Sequence, residues 1–448
     1  MKFYNREIEL QELNEIINRE NSDMIYLYRR RVKTSLILKA LENKKFLYFF
    51  VEKSRNALLN DFNEIIQKHF HLSYLKFTTF KDLLAFLFDK AREEDFVVVF
   101  DEFQNFWNID KSIFSDLQYF WDINKDKTNV KLFFLGSHFT LIKKIFEANK
   151  QPLYGRATGS FFIKQFSLRT QIEILGDYNI YSPENLLYFY SIFGVAKYIE
   201  IFLREYDVKK DFKGNIFDII FKENSFFLNE AKDIFALEFG KSYSRYFSIL
   251  EAIALNTKKN EIVNYTGISV DSLVYIQKLE KFYELITRNI SIESKKTTTN
   301  SNYKIKDLFL NFWFKYIFKN ENYREIDFDT LKNIVKDDIN GFLLSFEVLA
   351  REFFIQQNLE KLPFKFDTIN YFDKKTNEID LILKNTKERK IMFVECKLNK
   401  SKIDNVTLSA LKQKVENTKY KNYEKYYVFM SIEKSEYDFR ENVLLYSI

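Results

Sequence analysis

A single cysteine, Cys396, stands in 448 residues. That excludes an intrachain disulfide and a cysteine-rich zinc site, and it fits a reducing compartment. Glycine and proline are scarce, nine and three, against 50 phenylalanines and 28 tyrosines. With the many Lys, Asn and Ile, this bias reads as A/T-rich coding rather than special aromatic chemistry. No glycine precedes Gly136, which removes the usual means of shaping a phosphate-cradling loop in the amino-terminal third. Met1 to Glu7 carries no apolar leader, and no run reaches membrane-spanning length. The expectation is a cytoplasmic protein with no membrane partner. There is no internal repeat or coiled-coil pattern. A hydrophobic fraction of 46% marks a globular chain with room for about two to four domains. The formal charge of +6 permits a nucleic-acid partner without demanding one.

What is present is most informative from Asn377 to Leu398, NEIDLILKNTKERKIMFVECKL. Alternating Ile379, Asp380 and Leu381, a polar turn from Lys384 to Lys390, and the run Ile391 to Val394 predict a β-hairpin. Side chains alternate across a strand, so Glu395 and Lys397 share one face and Cys396 takes the other. An even register brings Asp380 to the face of Glu395. Two carboxylates and a lysine in that setting suit phosphodiester hydrolysis. Asp380 and Glu395 would ligate Mg²⁺ or Mn²⁺, hard cations that keep several waters, and Lys397 would orient the attacking water or offset charge. The pattern resembles the PD-(D/E)XK nuclease core. On that resemblance Glu347, in the apolar run Phe342 to Phe354, is the first-helix glutamate, and Gln413 in LSALKQKVEN is the accessory polar residue. The plainer reading is a strand with charged residues on a wet face.

The amino-terminal third has the layout of a nucleotide site. Asn5 to Ile17 has helical apolar spacing. Met24 to Tyr28 reads as a strand, Arg29 to Ser35 as a short basic loop, and Leu36 to Leu41 as a helix. Strand, loop, Lys-Thr, helix is the order of a P-loop, with Lys33 and Thr34 placed to contact phosphate and its Mg²⁺. The two glycine positions of that motif hold Leu27 and Val32, so weak or lost ATP binding is expected. Phe96 to Gln104 is an apolar strand ending in Asp101-Glu102, a Walker B pattern in which Asp101 holds Mg²⁺ through water and Glu102 activates water. Val130 to Leu135 predicts a further central strand, and Ser137 or His138 after Gly136 takes a γ-phosphate sensor position. In Pro152 to Gly159, Arg156 reads either as an arginine finger or as an arginine packing its own turn.

Taken in order, these motifs resemble the archaeal-type AAA+/STAND ATPases that end in a nuclease-like domain. The stretches that carry the likeness are RRRV-KTSLILKAL, FDEFQNF, FFLGS, PLYGRATG, FGVAKYIE, YKIKDLFLNFWFKYIF and the EID…VECK hairpin. The resemblance implies a multidomain α/β chain: a P-loop, AAA+-like parallel-sheet domain at 1–165, a helical lid at 166–240, a winged helix at 241–302, bridging helices at 303–335, and a mixed α/β PD-(D/E)XK-like domain at 336–448. In the winged helix, Asn260 to Thr266 and Ser269 to Leu279 would flank a turn at Gly267 to Ser269, with Ser269 or Asp271 as N-cap. SKKTTTNSN would form the wing tip, where Lys295 and Lys296 could meet phosphates. The final domain is expected to run helix, strand near Phe364 to Phe366, hairpin, helix Val406 to Thr418, strand Tyr426 to Ser431.

The sequence therefore points first to a protein acting on nucleic acid, DNA foremost, with a metal-dependent nuclease-like carboxy-terminal domain. A non-catalytic regulator that binds nucleic acid or protein, a second copy of itself included, is the alternative. A working ATPase switch is the third reading.

Overall fold

The computed structural model describes residues 4, 6–28, 33–163, 165–255, 258–267, 272–295, 301–324, 327–358, 361–374, 377–439 and 443–448. They separate into two compact units: Met1–Gln165 with Val195–Lys197, and Phe166–Gly194 with Tyr198–Ile448.

The first unit is built on strands β1 (Asp23–Tyr28), β2 (Phe46–Phe50), β3 (Val97–Asp101), β4 (Lys131–Gly136) and β5 (Gly159–Phe162). Their order is β2-β3-β4-β1-β5 and every pairing is parallel. Parallel strands covered on both faces read as unbroken apolar runs, and every residue of β1, β3 and β4 is buried. One face packs Leu36 and Ile37 of helix Lys33–Ala40 against Leu13 and Ile16 of helix Glu7–Ile17. The other face is a phenylalanine layer, with Phe49, Phe62, Phe100, Phe103 and Phe134 all buried. Tyr28, Asp101 and Gly136 close their strands at the same sheet end, where an open parallel sheet holds its ligands.

The second unit opens with helices Leu168–Asp177, Pro183–Ile192, Ala196–Glu205, Phe212–Ile220 and Phe226–Phe239. The side chains of Ser167, Ser182, Asp211 and Ser225 cap four of these by accepting backbone N–H groups. Helices Tyr243–Leu255, Lys259–Thr266 and Ser272–Gln277 follow, then a hairpin of β6 (Ile286–Asn289) and β7 (Asn302–Ile305). Gly267 ends the middle helix at φ +61°, a left-handed conformation that suits glycine. Ile268, Ser269, Asp271, Lys296 and the remaining wing-tip residues through Asn300 lie outside the described residues, as do Arg29 to Val32 of the basic loop. The aromatic run becomes helix Leu308–Phe312 continued by a wider turn, Trp313–Phe318. Trp313 is fully buried, and its indole N–H donates to the Phe227 carbonyl at 3.0 Å.

Beyond helices Phe328–Asp337 and Leu343–Gln357 lies a mixed sheet of β8 (Thr368–Lys374), β9 (Asn377–Asn385), β10 (Lys390–Lys397), β11 (Glu424–Ser431) and β12 (Val443–Ser447), ordered β12-β11-β10-β9-β8. β8, β9 and β10 are antiparallel neighbours; β10, β11 and β12 run parallel. Helix Asn405–Glu416 covers this sheet through Leu408, Leu411 and Val415. The strand expected near Phe364 to Phe366 begins instead at Thr368. Asn358 accounts for the shift, since its amide bonds both the N–H and the carbonyl of Phe366 and holds that segment as a loop. Among the described residues no helix is long and apolar enough to cross a membrane.

Phe103 meets the rings of Phe100, Phe106, Phe114, Phe134 and Phe146 with no exposure. Phe103→Ala is expected to destabilise the first unit by about 3–5 kcal/mol, measured as a lowered urea midpoint.

Candidate functional sites

In the first unit β3 and β1 bring the expected nucleotide residues to one sheet end. Lys33 and Thr34 open the helix that follows β1, and Lys33 is buried. The Thr34 hydroxyl donates to Asp101 Oδ2 at 2.7 Å, and the Tyr48 phenol, on neighbouring β2, donates to the same oxygen at 2.5 Å. The other oxygen, Oδ1, accepts the Glu102 backbone N–H at 2.9 Å. Burial first, and the Asp101 carboxylate second, push the Tyr48 phenol well above its usual range. Both oxygens of Asp101 thus accept hydrogen bonds from its own chain, one of them from the hydroxyl that a P-loop uses for Mg²⁺.

Glu102 has φ +55° and ψ +36°, left-handed backbone that side-chain-bearing residues seldom adopt. Its carboxylate accepts the Ser137 hydroxyl at 2.5 Å and the Gln104 amide. Gln104 is fully buried, its amide also reaches Ser137 Oγ at 3.3 Å, and its Oε1 has no donor among the described residues. Gly136 permits this packing: a Cβ there would lie 2.1 Å from Ile142 Cγ1 and 2.6 Å from Gln104 Oε1. His138 precedes helix Phe139–Glu147 and lies outside this cluster of bonds. Arg156 is held inside its own module. Its guanidinium forks onto Asp122 at 2.8–3.1 Å and bonds the carbonyls of Pro152 and Tyr154, so it packs a turn in this state.

In the second unit the β9–β10 register runs from Lys390↔Asn385 to Val394↔Leu381. One step further, Asp380 faces Glu395 across the pair, and cross-strand neighbours share a face. Asp380 Oδ2 accepts the Cys396 N–H at 2.7 Å. Burial first, then the charges of Glu395 and Glu347, push the Asp380 carboxyl up to about 8. Lys397 Nζ donates to Glu395 Oε1 at 2.9 Å, and Lys414 Nζ grips both oxygens of Glu395 at 2.8 and 3.0 Å. Glu347, on helix Leu343–Gln357, pairs with Lys304 of β7 at 2.9 Å. Gln413 is exposed; the helix turns its neighbour Lys414, which sequence reasoning passed over, toward the carboxylates. The apolar spacing of Leu408, Leu411 and Val415 was the signal for that phase. Tyr48, Gln104 and Lys304 were also missed. A cavity of about 560 Å³ beside Lys397 is lined by Asn399, Lys400, Lys402, Glu433 and Glu184.

Among the described residues no group of three or more His, Cys, Asp and Glu side chains stands together as a metal cage. Asp380 and Glu395 stand opposite one another on the strand pair, and a hard divalent cation takes few carboxylates and retains water.

The chain is 32% identical over 437 residues to an uncharacterised protein of Methanocaldococcus jannaschii, covering 96% of this chain and 95% of that one. Residues 3–200 match the model of an ATPase domain found predominantly in Archaea. The chain belongs to one family with that archaeal protein, and its amino-terminal part is an ATPase domain of the predominantly archaeal kind. Residues 313–419 of this family member match a second model, of archaeal and bacterial proteins of unknown function. Among solved structures, the Walker-type ATPase of Pyrococcus abyssi is similar in fold, with a TM-score of 0.51 at 22% identity, over 70% of this chain and 96% of that one. The ORC2 protein of Aeropyrum pernix gives a TM-score of 0.43 at 11% identity, over 75% and 95%.

The Asp380 shift sets a pH dependence. Its folded pKa lies above its unfolded value, so the folded state holds the proton between roughly 4 and 8. Stability of the metal-free protein is then full below that interval and lost as pH rises through it. Thermal melts from pH 5 to 9 should show this decline, and Asp380→Asn should flatten it.

Proposed function

We propose that this ATPase-family chain acts on nucleic acid, with DNA the foremost substrate, and that its carboxy-terminal domain hydrolyses phosphodiesters with Mg²⁺ or Mn²⁺. The observation that carries this reading is the juxtaposition of Asp380, Glu395 and Lys397 on one sheet face, with Glu347 electrostatically coupled to it. Asp380 and Glu395 would hold the cation. When bound, that ion supplies an acidified water and polarises the phosphate. Lys397, its ammonium released from Glu395, would orient the nucleophile and offset charge on the phosphoryl oxygens. The second-unit helices and hairpin would serve as lid and winged helix, and the amino-terminal module would bind ATP weakly through Lys33, Thr34, Asp101 and Glu102.

Purified protein with Mn²⁺ or Mg²⁺ should nick DNA, and Asp380→Ala and Lys397→Ala should each lower the rate by about 10²-fold or more. Unchanged nicking in both variants would assign the activity to a contaminant.

One observation favours a second reading, a non-catalytic regulator: both oxygens of Glu395 are already held by lysines. Calorimetry separates the two, since Mn²⁺ binding supports the nuclease and its absence supports the regulator. A nucleotide switch requires ATP turnover that Glu102→Gln abolishes.

A further inference from the structure

The cavity of about 560 Å³ beside Lys397 lies off the carboxyl ends of two neighbouring parallel strands. β10 and β11 end their pairing at Lys397↔Ser431, and the chain beyond each strand supplies a wall. Asn399, Lys400 and Lys402 follow β10; Ile432 and Glu433 follow β11. Parallel strands hold their ligands outside these ends. The remaining wall is helical, with Glu184 in the first turn of Pro183–Ile192 and Leu343 at the start of Leu343–Gln357, joined by Asn340. All of these residues belong to the second unit.

Lys397, Lys400 and Lys402 face two glutamates in this lining. Lys397 is bonded to Glu395 at 2.9 Å. Lys400 pairs with Glu433 at 2.8 Å, with half or more of each side chain exposed; solvent screens such a pair, and it opens at little cost. Lys402 is exposed and has no ion-pair partner among the described residues. The Asn340 side-chain amide is also exposed and makes no hydrogen bond among the described residues; an amide offers both donors and an acceptor. Leu343, Leu398 and Ile432 add apolar surface. A spare cation, an unbonded amide and an apolar surface match the three parts of a nucleotide: phosphate, base edge and base face. The volume falls in the range of about 300–1,000 Å³ that holds one small ligand, which leaves no room for a duplex. A base enters such a cavity unpaired, as bases of single strands do when they splay out.

Resting on the reading that the carboxy-terminal domain acts on nucleic acid, we infer that this cavity holds one unpaired nucleotide, its phosphate on Lys402 and its base edge at Asn340, and that the substrate is therefore a single strand. Lys397 borders both the cavity and Glu395, so a strand seated here runs past the carboxylate pair. Lys400 exchanges Glu433 for the phosphate backbone. Lys402 and Asn340 bind the strand and take no part in breaking it.

The test uses the full chain in EDTA, so that nothing is cut, with a fluorescent single-stranded oligodeoxynucleotide and its blunt duplex as probes, read by anisotropy. Wild type should bind the single strand more tightly than the duplex. In about 0.1 M salt, Lys402→Met should weaken single-strand binding about fivefold and make its salt dependence shallower by about 0.7, the contribution of one phosphate contact. Lys402→Arg should stay close to wild type. Asn340→Ala should weaken binding with the salt slope unchanged. Both positions are exposed, so these changes spare the fold. Wild-type affinity and slope in Lys402→Met, or a duplex bound as tightly as the single strand, overturns the inference and leaves the nucleic-acid reading standing. Binding of thymidine monophosphate with neither oligonucleotide bound makes the occupant a free nucleotide. That result, or no binding at all, overturns the inference together with the reading beneath it.

Discussion

Negative charge gathered on one half-buried sheet face is the constraint to which the second unit is fitted. Burial, and after it the charges of Glu395 and Glu347, push the Asp380 carboxyl up. Exposed ion pairs contribute little to stability, but an unanswered charge at a poorly solvated face is costly. Here the answer comes from lysines on three separate segments: Lys304 on β7, Lys397 on β10 and Lys414 on helix Asn405–Glu416. Regions far apart in sequence are tied together by the need to balance the same few carboxylates.

The first unit shows a different arrangement. The glycines that normally shape a phosphate loop are missing from its sequence, while the end of β3 is densely bonded. Asp101 accepts from Thr34, Tyr48 and the Glu102 backbone. Glu102 is held in a strained conformation by that last bond and by Ser137 and Gln104. Strain of this kind persists where surrounding contacts over-determine it, and it gathers at functional sites. In this unit the strained backbone and the dense bonding fall on the residues that the sequence marks as a Walker B pattern.

Much of this was legible in the chain. Unbroken apolar runs marked β1, β3 and β4, because parallel strands are buried on both faces. The alternation around Asp380 and Glu395 marked the hairpin and the face that its charges share, because strand periodicity leaves few options. What escaped depended on pairing between distant segments. Tyr48 reaches Asp101 because β2 lies beside β3, a strand order that no local pattern states. Lys304 reaches Glu347 because a hairpin docks on another sheet. The short β5, four residues, and β12, five residues, offer too little periodicity to stand out. The error at Phe364 to Phe366 came from ranking apolar strand propensity above the local hydrogen bonds of Asn358, which win because they satisfy both backbone groups of Phe366.

The bond from Ile292 to Tyr371 has a bearing on self-association. An outer strand offers unpaired backbone groups on which a foreign chain can add itself, the first step toward polymers. β8 has one of those groups taken by the same polypeptide, and the hydroxyl of Ser291 occupies another at Asp373. The chain thereby shields a vulnerable border with Ser291 and Ile292 from outside the sheet, and a chain stripped of those two bonds would leave the border open to foreign strands.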